Sequence, residues 1–459
     1  MPTAAAVPTH QDVELKRQIG LYAATAITVG NIIGSGIFRS PHSVAQEIAS
    51  VPLVLFAWIL GGALSLSGSL VLAELAVTHP RTGGLYVFIR EAFGDAWAFV
   101  FGWASLWVIK PTVIASITSV FALYFCEAIH LPKGAELPVG FAAILLLTLV
   151  NWLGVREGAR TQELFTTAKV IGILALCVAA FALPHAGAAV DQVTRAAAAP
   201  RPIMIALVLA MIPILFAYDG WTDSTYVAGE VLRPERTLPI AIVWGTVLVI
   251  AIYVVTNLAY YHILSPAEVR TYEAVGSETV GRVLGEWGRR ALAVLVAVST
   301  FGTINGAVLT GPRVTIAMAA NGLLWRPLAR VDVGRGSPGP ALWLQAVLSC
   351  VWLWFARGFE DVSGWFVTTS WLFYGLTTAA IFVQRRREAA GTLAAPTYRT
   401  PLYPLTPILF IAVTVALIAS DLSSSGWRAA AGVIVAAVGF PVYWLWKGRH
   451  AGAGGRGTA

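Results

Sequence analysis

Hydrophobic residues in this chain come in long uninterrupted runs, not at helical or alternating spacing. Twelve runs, centred near residues 32, 64, 110, 147, 172, 215, 250, 305, 347, 372, 412 and 437, are each long enough to cross a bilayer. A spanning helix needs roughly 20 apolar residues, so twelve of them with short loops nearly fill the 459 positions. The pattern predicts an all-α membrane protein of twelve transmembrane helices, with no separate soluble domain.

Two runs are interrupted at mid-depth. The first reads Gly30-Asn31-Ile32-Ile33-Gly34-Ser35-Gly36-Ile37-Phe38 at its centre. Each glycine costs a helix about 0.8–1 kcal/mol relative to alanine, and in lipid the freed backbone groups need partners in a cavity. A helix broken there bares N–H groups on one half and C=O groups on the other, which is a main-chain site for a small zwitterion. The sixth run carries Pro213 and then Phe216-Ala217-Tyr218-Asp219-Gly220-Trp221-Thr222-Asp223-Ser224. The two interruptions lie five spans apart, as a five-plus-five inverted repeat requires, and paired interruptions point to a transporter's binding site. Half-helix N-termini favour an anion and C-termini a cation, through partial charges of about half a unit. An α-amino acid carries both charges on one carbon. The competing reading, that the glycines only permit close helix packing, is weakened by the matched spacing. The expected organisation is an N-terminal tail (1–18), a first repeat (19–185, spans one to five) and a second repeat (203–388, spans six to ten). Two further spans (402–447) and a disordered tail (448–459) complete it.

Composition agrees. The chain is 57% hydrophobic and 12% charged, where a soluble protein is about 25% charged, and its mean hydropathy is +0.73. The first run follows Lys16 and Arg17 but lacks a small-residue cleavage site, so it does not read as a removable signal. With both termini inside, twelve spans put 18 cations in inside loops and tails and 9 outside. That excess predicts cytoplasmic termini, and it makes the net charge of +7 a topology signal, not a nucleic-acid footprint. Cys126, Cys177 and Cys350 are widely spaced and read as reduced packing residues. The seven histidines fall in tails, loops or span ends, and no catalytic or metal-ligating motif appears. An enzyme, a cofactor and a metal are therefore not expected. A channel would need rings of charge or a repeated filter, and neither break supplies one.

Further residues carry a resemblance. Gly30 to Phe38 followed by Pro41, Phe216 to Trp221 followed by Glu230-Val231-Leu232-Arg233-Pro234-Glu235-Arg236-Thr237-Leu238-Pro239, and Phe301-Gly302-Thr303-Ile304-Asn305-Gly306 are the main segments. They are similar to L-type amino acid transporters of the amino acid–polyamine–organocation superfamily. Glu74 with Pro80 to Tyr86, Ile109-Lys110-Pro111-Thr112, and Phe165-Thr166-Thr167-Ala168-Lys169 add support. The resemblance covers about residues 15–450, and the short ends and Ala-rich composition look bacterial. It implies the superfamily's fold, with helices 1 and 6 broken and two inverted five-helix repeats. It also implies that the substrate carboxylate meets N–H groups at Ser35 and Gly36, and the amino group carbonyls at Ile32, Phe216 and Asp219. Ala217, Trp221 and Asn305 are further candidates for the site, and Phe216 is the lid. One departure is Thr222, followed by Asp223, where the family usually has Asn. Animal relatives have a cysteine that joins an accessory subunit; Cys126 lies near that loop, but no such partner is expected here.

Ionised groups at mid-depth cost several kcal/mol and each needs a reason. In sodium-independent relatives a fifth-helix lysine replaces the sodium ion beside the first break, which implies that role for Lys169, bonded to carbonyls near Gly30. The alternative is that Lys169 snorkels to the surface. Lys110, before Pro111, serves either an ion pair or gate, or the substrate. The Asp219 carboxylate either satisfies nearby backbone donors or recognises a cationic side chain. Arg313 belongs to a cytoplasmic gate. Asn305 either reaches the pocket or bonds across helices, and Trp221 and Trp371 either bound the pocket or pack. The resulting expectation is sodium-independent exchange of neutral L-amino acids across the bacterial inner membrane. The alternative is a proton-coupled or facilitative carrier that also takes cationic amino acids or related amines.

Overall fold

The computed structural model describes residues 15–132, 134–183, 202–332, 335–355, 359–425 and 427–454. The expected tails up to residue 14 and from 455, and the cations Lys133, Arg195, Arg201, Arg357 and Arg456, lie outside these. Nine helices among the described residues are long and apolar enough to cross a membrane: Leu21–Glu47, Val51–Thr78, Asp95–Ala128, Glu136–Leu153, Val155–Ala182, Pro234–Ile263, Val275–Ala320, Phe366–Ala389 and Leu405–Ser423. Shorter apolar helices, Ile203–Ala217, Gly339–Phe355 and Gly432–Gly448, stand where the sixth, ninth and twelfth spans are expected. Apolar helices thus stand at all twelve expected runs, nine of them meeting the length for a crossing among the described residues. The last helix runs on to Gly454, past the end expected at 447.

The packing is inverted relative to a soluble protein. Large apolar side chains such as Leu145, Leu146, Leu149 and Leu153 of the fourth span are exposed, while Asn31, Lys110, Gln162, Lys169, Asn257 and Asn305 are buried. Most buried polar atoms in a folded chain find hydrogen-bond partners. The arrangement fits a chain whose outer solvent is hydrocarbon.

Irregular backbone follows proline and glycine. In the third span Pro111 has no N–H to give the Trp107 carbonyl one turn back; the helix widens into a π turn over Ser105–Ile109. The orphaned carbonyl accepts instead from Trp352 Nε1 at 2.9 Å. A second π turn, Ile240–Trp244, follows Pro239 in the seventh span. Both expected breaks are present. The first span is a helix over Leu21–Ile32 and another over Gly36–Glu47. The sixth stops at Ala217, turns, and resumes as a short helix over Asp223–Tyr226.

Candidate substrate site at the two helix breaks

The first break is held by a lysine. Where the helix ends, the carbonyls of Gly30 and Ile33 turn inward and accept from Lys169 Nζ at 2.8 and 2.6 Å. Thr303 Oγ1 of the eighth span accepts the third bond at 2.9 Å. Lys169 is fully buried, so the snorkelling alternative does not hold. Three oxygen acceptors, none from a carboxylate, solvate the ammonium: two carbonyls at the negative end of the broken helix and one hydroxyl. Across the break, the helix that starts at Gly36 leaves the N–H groups of Ser35 and Gly36 without a backbone acceptor among the described residues, as a helix start does, while Phe38 N–H turns back to the Ser35 carbonyl at 3.2 Å. The Ser35 hydroxyl there is 1% exposed and makes no hydrogen bond among the described residues.

The sixth break is held by a tyrosine and another lysine. Tyr374 of the tenth span donates to Asp219 Oδ1 at 2.7 Å. Lys110 of the third span donates to Asp223 Oδ1 at 2.7 Å, and Asn31 Nδ2 donates to Asp223 Oδ2 at 2.6 Å. The first break is thus gripped by the fifth and eighth spans and the sixth by the tenth and third. Those are the counterparts under a five-plus-five repeat.

The two breaks touch through backbone. Gly220 has φ +117°, and a Cβ there would lie 2.6 Å from the Asn31 carbonyl carbon; one on Gly36 would lie 2.5 Å from Ala217 Cα. Tyr253 of the seventh span sits between them, its hydroxyl 2.9 Å from both the Ile32 and the Ala217 carbonyl oxygens. One hydroxyl proton serves one of these at a time. The Ile32 carbonyl also accepts from Gly34 N–H at 2.9 Å, so in this conformation it is occupied. Phe216 is half-buried and meets the edge of Phe366 at 6.1 Å.

The other sequence candidates divide. Arg313 forms a two-pronged pair with Glu230, Nε to Oε1 at 2.9 Å and Nη2 to Oε2 at 3.1 Å, with both side chains 1% exposed. The Glu230 carbonyl accepts from Gln18 and Ile19 N–H, and Leu232 N–H donates back to Ile19. This closes the face that carries the N-terminal segment. Asn305 does not join the site. Its Nδ2 donates to Gly158 O and Gln162 Oε1, both at 3.0 Å, and its Oδ1 accepts from Asn151 at 2.9 Å. With both ends of the amide engaged between helices, the crossing alternative holds. Trp221 is 1% exposed and packs on Tyr374 and Phe410, and Trp371 stacks on Phe410. Cys126 is a buried free thiol.

Sequence reasoning missed Asn31, Gln162, Tyr253 and Tyr374 as members of this constellation. It noted Asp223 only as a departure and Thr303 only inside a motif. Asn31 and Asp223, polar residues within apolar runs, carried a usable signal. Gln162 and the tyrosines read as packing until the fold brings them to the breaks.

The amino acid permease pattern matches residues 19–440. This chain belongs to that family. It is similar to the serine/threonine exchanger SteT of Bacillus subtilis, 33% identical over 96% of this chain and 99% of that protein. It is also 33% identical to the mouse b(0,+)-type amino acid transporter 1, over 90% of this chain and 84% of the relative. The mouse Asc-type amino acid transporter 1 is 34% identical, over 94% and 82%. The permease is therefore a multi-pass membrane transporter of amino acids, not an enzyme, and a bacterial-type member of the amino acid–polyamine–organocation superfamily.

Proposed function

We propose that the permease exchanges L-amino acids by alternating access without sodium, with neutral amino acids as its main substrates, in the cell inner membrane with both termini cytoplasmic. The observation that carries this reading is the Lys169 ammonium on the Gly30 and Ile33 carbonyls. A tethered positive charge there does the work of a diffusible cation, so none need be taken up with the substrate.

The substrate carboxylate docks on the N–H groups at Ser35 and Gly36, where the unpartnered Ser35 hydroxyl adds a donor. The α-ammonium meets carbonyls at Ile32, Phe216 and Asp219, displacing the Tyr253 hydroxyl from Ile32. Loaded in this way, the two breaks are drawn together by one ligand, and Phe216 closes over it. The Arg313–Glu230 pair keeps the N-terminal face shut until the loaded carrier turns. Exchange follows when the empty carrier reorients slowly and the loaded one fast.

A second reading is favoured by one observation. Asp219 is held by Tyr374, and no cation lies within ion-pair distance of it among the described residues. A desolvated carboxylate without a counter-charge is costly, and a cationic side chain on the substrate would supply one.

Uptake of labelled amino acids into proteoliposomes, with and without sodium outside and unlabelled amino acid inside, tests the proposal. Sodium-independent uptake stimulated by internal substrate is expected. Uptake that is indifferent to internal substrate but driven by a proton gradient would replace exchange with symport.

A further inference from the structure

Asp219 and Asp223 stand four residues apart at the sixth break, one at its turn and one opening the helix that follows. Lys110 is bonded to Asp223, at 2.7 Å, with its ammonium also 4.4 Å from the centre of the Tyr226 ring. Asn31 fixes the far oxygen of Asp223 at 2.6 Å. Asp223 is therefore a post anchored from two sides, and Lys110 is the flexible partner tied to it. The Lys110–Asp223 pair cancels, the Lys169 charge is solvated by neutral oxygens at the first break, and Asp219 at the sixth break has no cation within ion-pair distance among the described residues. Released from its post, the flexible lysine side chain is free to turn toward Asp219, the other carboxylate of the same break.

We propose that Asp223 is a specificity-determining positioning residue: by holding Lys110 it keeps Asp219 uncompensated, and so sets the site to accept a positively charged substrate side chain beside neutral ones. The inference rests on the reading of Asp219 as facing the substrate side chain, and it adds a sign that an ordinary structural ion pair would not have. Loss of either member of a purely structural pair gives the same phenotype. Here the two losses act in opposite directions. Asp223→Asn frees Lys110 to neutralise Asp219, disfavouring cations; Lys110→Gln leaves two carboxylates and favours them.

The test is exchange of labelled L-serine in sodium-free proteoliposomes, with unlabelled L-lysine and L-alanine as competitors, read as the ratio of their half-inhibitory concentrations. Asp223→Asn is expected to weaken lysine relative to alanine by roughly tenfold or more, the scale of losing a desolvated counter-charge. Lys110→Gln should move the ratio the other way, and the double variant should return it to the wild-type value or beyond. Where a variant no longer exchanges, ligand-induced shifts of thermal unfolding by the same two amino acids give the ratio. Shifts of the same sign in both single variants, or an unchanged ratio in Asp223→Asn, overturn the inference. If lysine competes with the wild type and Asp219→Asn abolishes this while Asp223→Asn does not, the inference alone falls. If lysine never competes, the Asp219 reading falls and the inference with it.

Discussion

The two helix breaks occupy matching places in the two repeats but are built from opposite chemistry. At the first, bare carbonyls meet an ammonium, Lys169, with no carboxylate among its bonded partners. At the sixth, carboxylates meet a hydroxyl and an ammonium, with Tyr374 on Asp219 and Lys110 on Asp223. The first is a main-chain device and recognises what every amino acid shares. The sixth adds side-chain charge, and side-chain charge can differ between substrates. Damage to the first break should therefore abolish transport of all substrates alike, whereas damage to the sixth should discriminate among them.

Gly36→Val is expected to have the largest effect. A Cβ there would lie 2.5 Å from Ala217 Cα, so the breaks are forced apart and the carboxylate donors are covered. Overpacking costs typically 1–3 kcal/mol or more, and exchange should fall at least about a hundredfold for neutral and cationic amino acids equally. A variant with wild-type affinity would end the main-chain model.

Phe216→Ala tests the sixth break more gently. The edge-to-face contact with Phe366 is worth about 0.5–1.5 kcal/mol, so occlusion should weaken by roughly two- to tenfold, seen as faster release of bound label. Unchanged release kinetics would remove Phe216 as the lid. Asp219→Asn should leave exchange of neutral amino acids within about twofold of wild type, since the substitution removes only side-chain charge. A uniform loss across the competitor panel would place the carboxylate on the α-ammonium instead.

The smallest effect is expected far from either break. His79 follows the second span on the N-terminal face, where burial is the main force that pushes its imidazole down to about 4; Glu91 pulls the other way and Arg81 and Arg387 reinforce the burial. Because the folded value lies below the ordinary 6.5, its contribution to stability is complete above about pH 6.5 and is lost as pH falls toward 4. Thermal unfolding in detergent should drop by about a degree or two between pH 7.5 and 5. His79→Asn should flatten that slope without changing substrate preference.

Legibility followed the same division. Both breaks could be read in the sequence because glycine and small polar residues stand out in an apolar run, and Lys169, Lys110 and Arg313 stood out because charge is costly there. What grips the breaks was mostly hidden. Tyr253 and Tyr374 lie in other spans, far away in sequence, and a tyrosine in a membrane helix has many uses. For Asn305 the sequence left pocket contact and a bond across helices equally open; the neighbouring Asn151 and Gln162 show its amide engaged between helices. The sixth helix is the short one, Ile203–Ala217, because the break ends it at mid-depth, and there hydropathy alone gives the weaker prediction.

The measurement that bears most directly on this account is sodium-free amino acid exchange by the wild type and Lys169→Ala, side by side in proteoliposomes, repeated with sodium outside. The account predicts a wild-type rate that sodium does not change, and a folded variant near background in both media, with the Gly30 and Ile33 carbonyls left without their cation. Sodium dependence in the wild type, or wild-type exchange by Lys169→Ala, would contradict it.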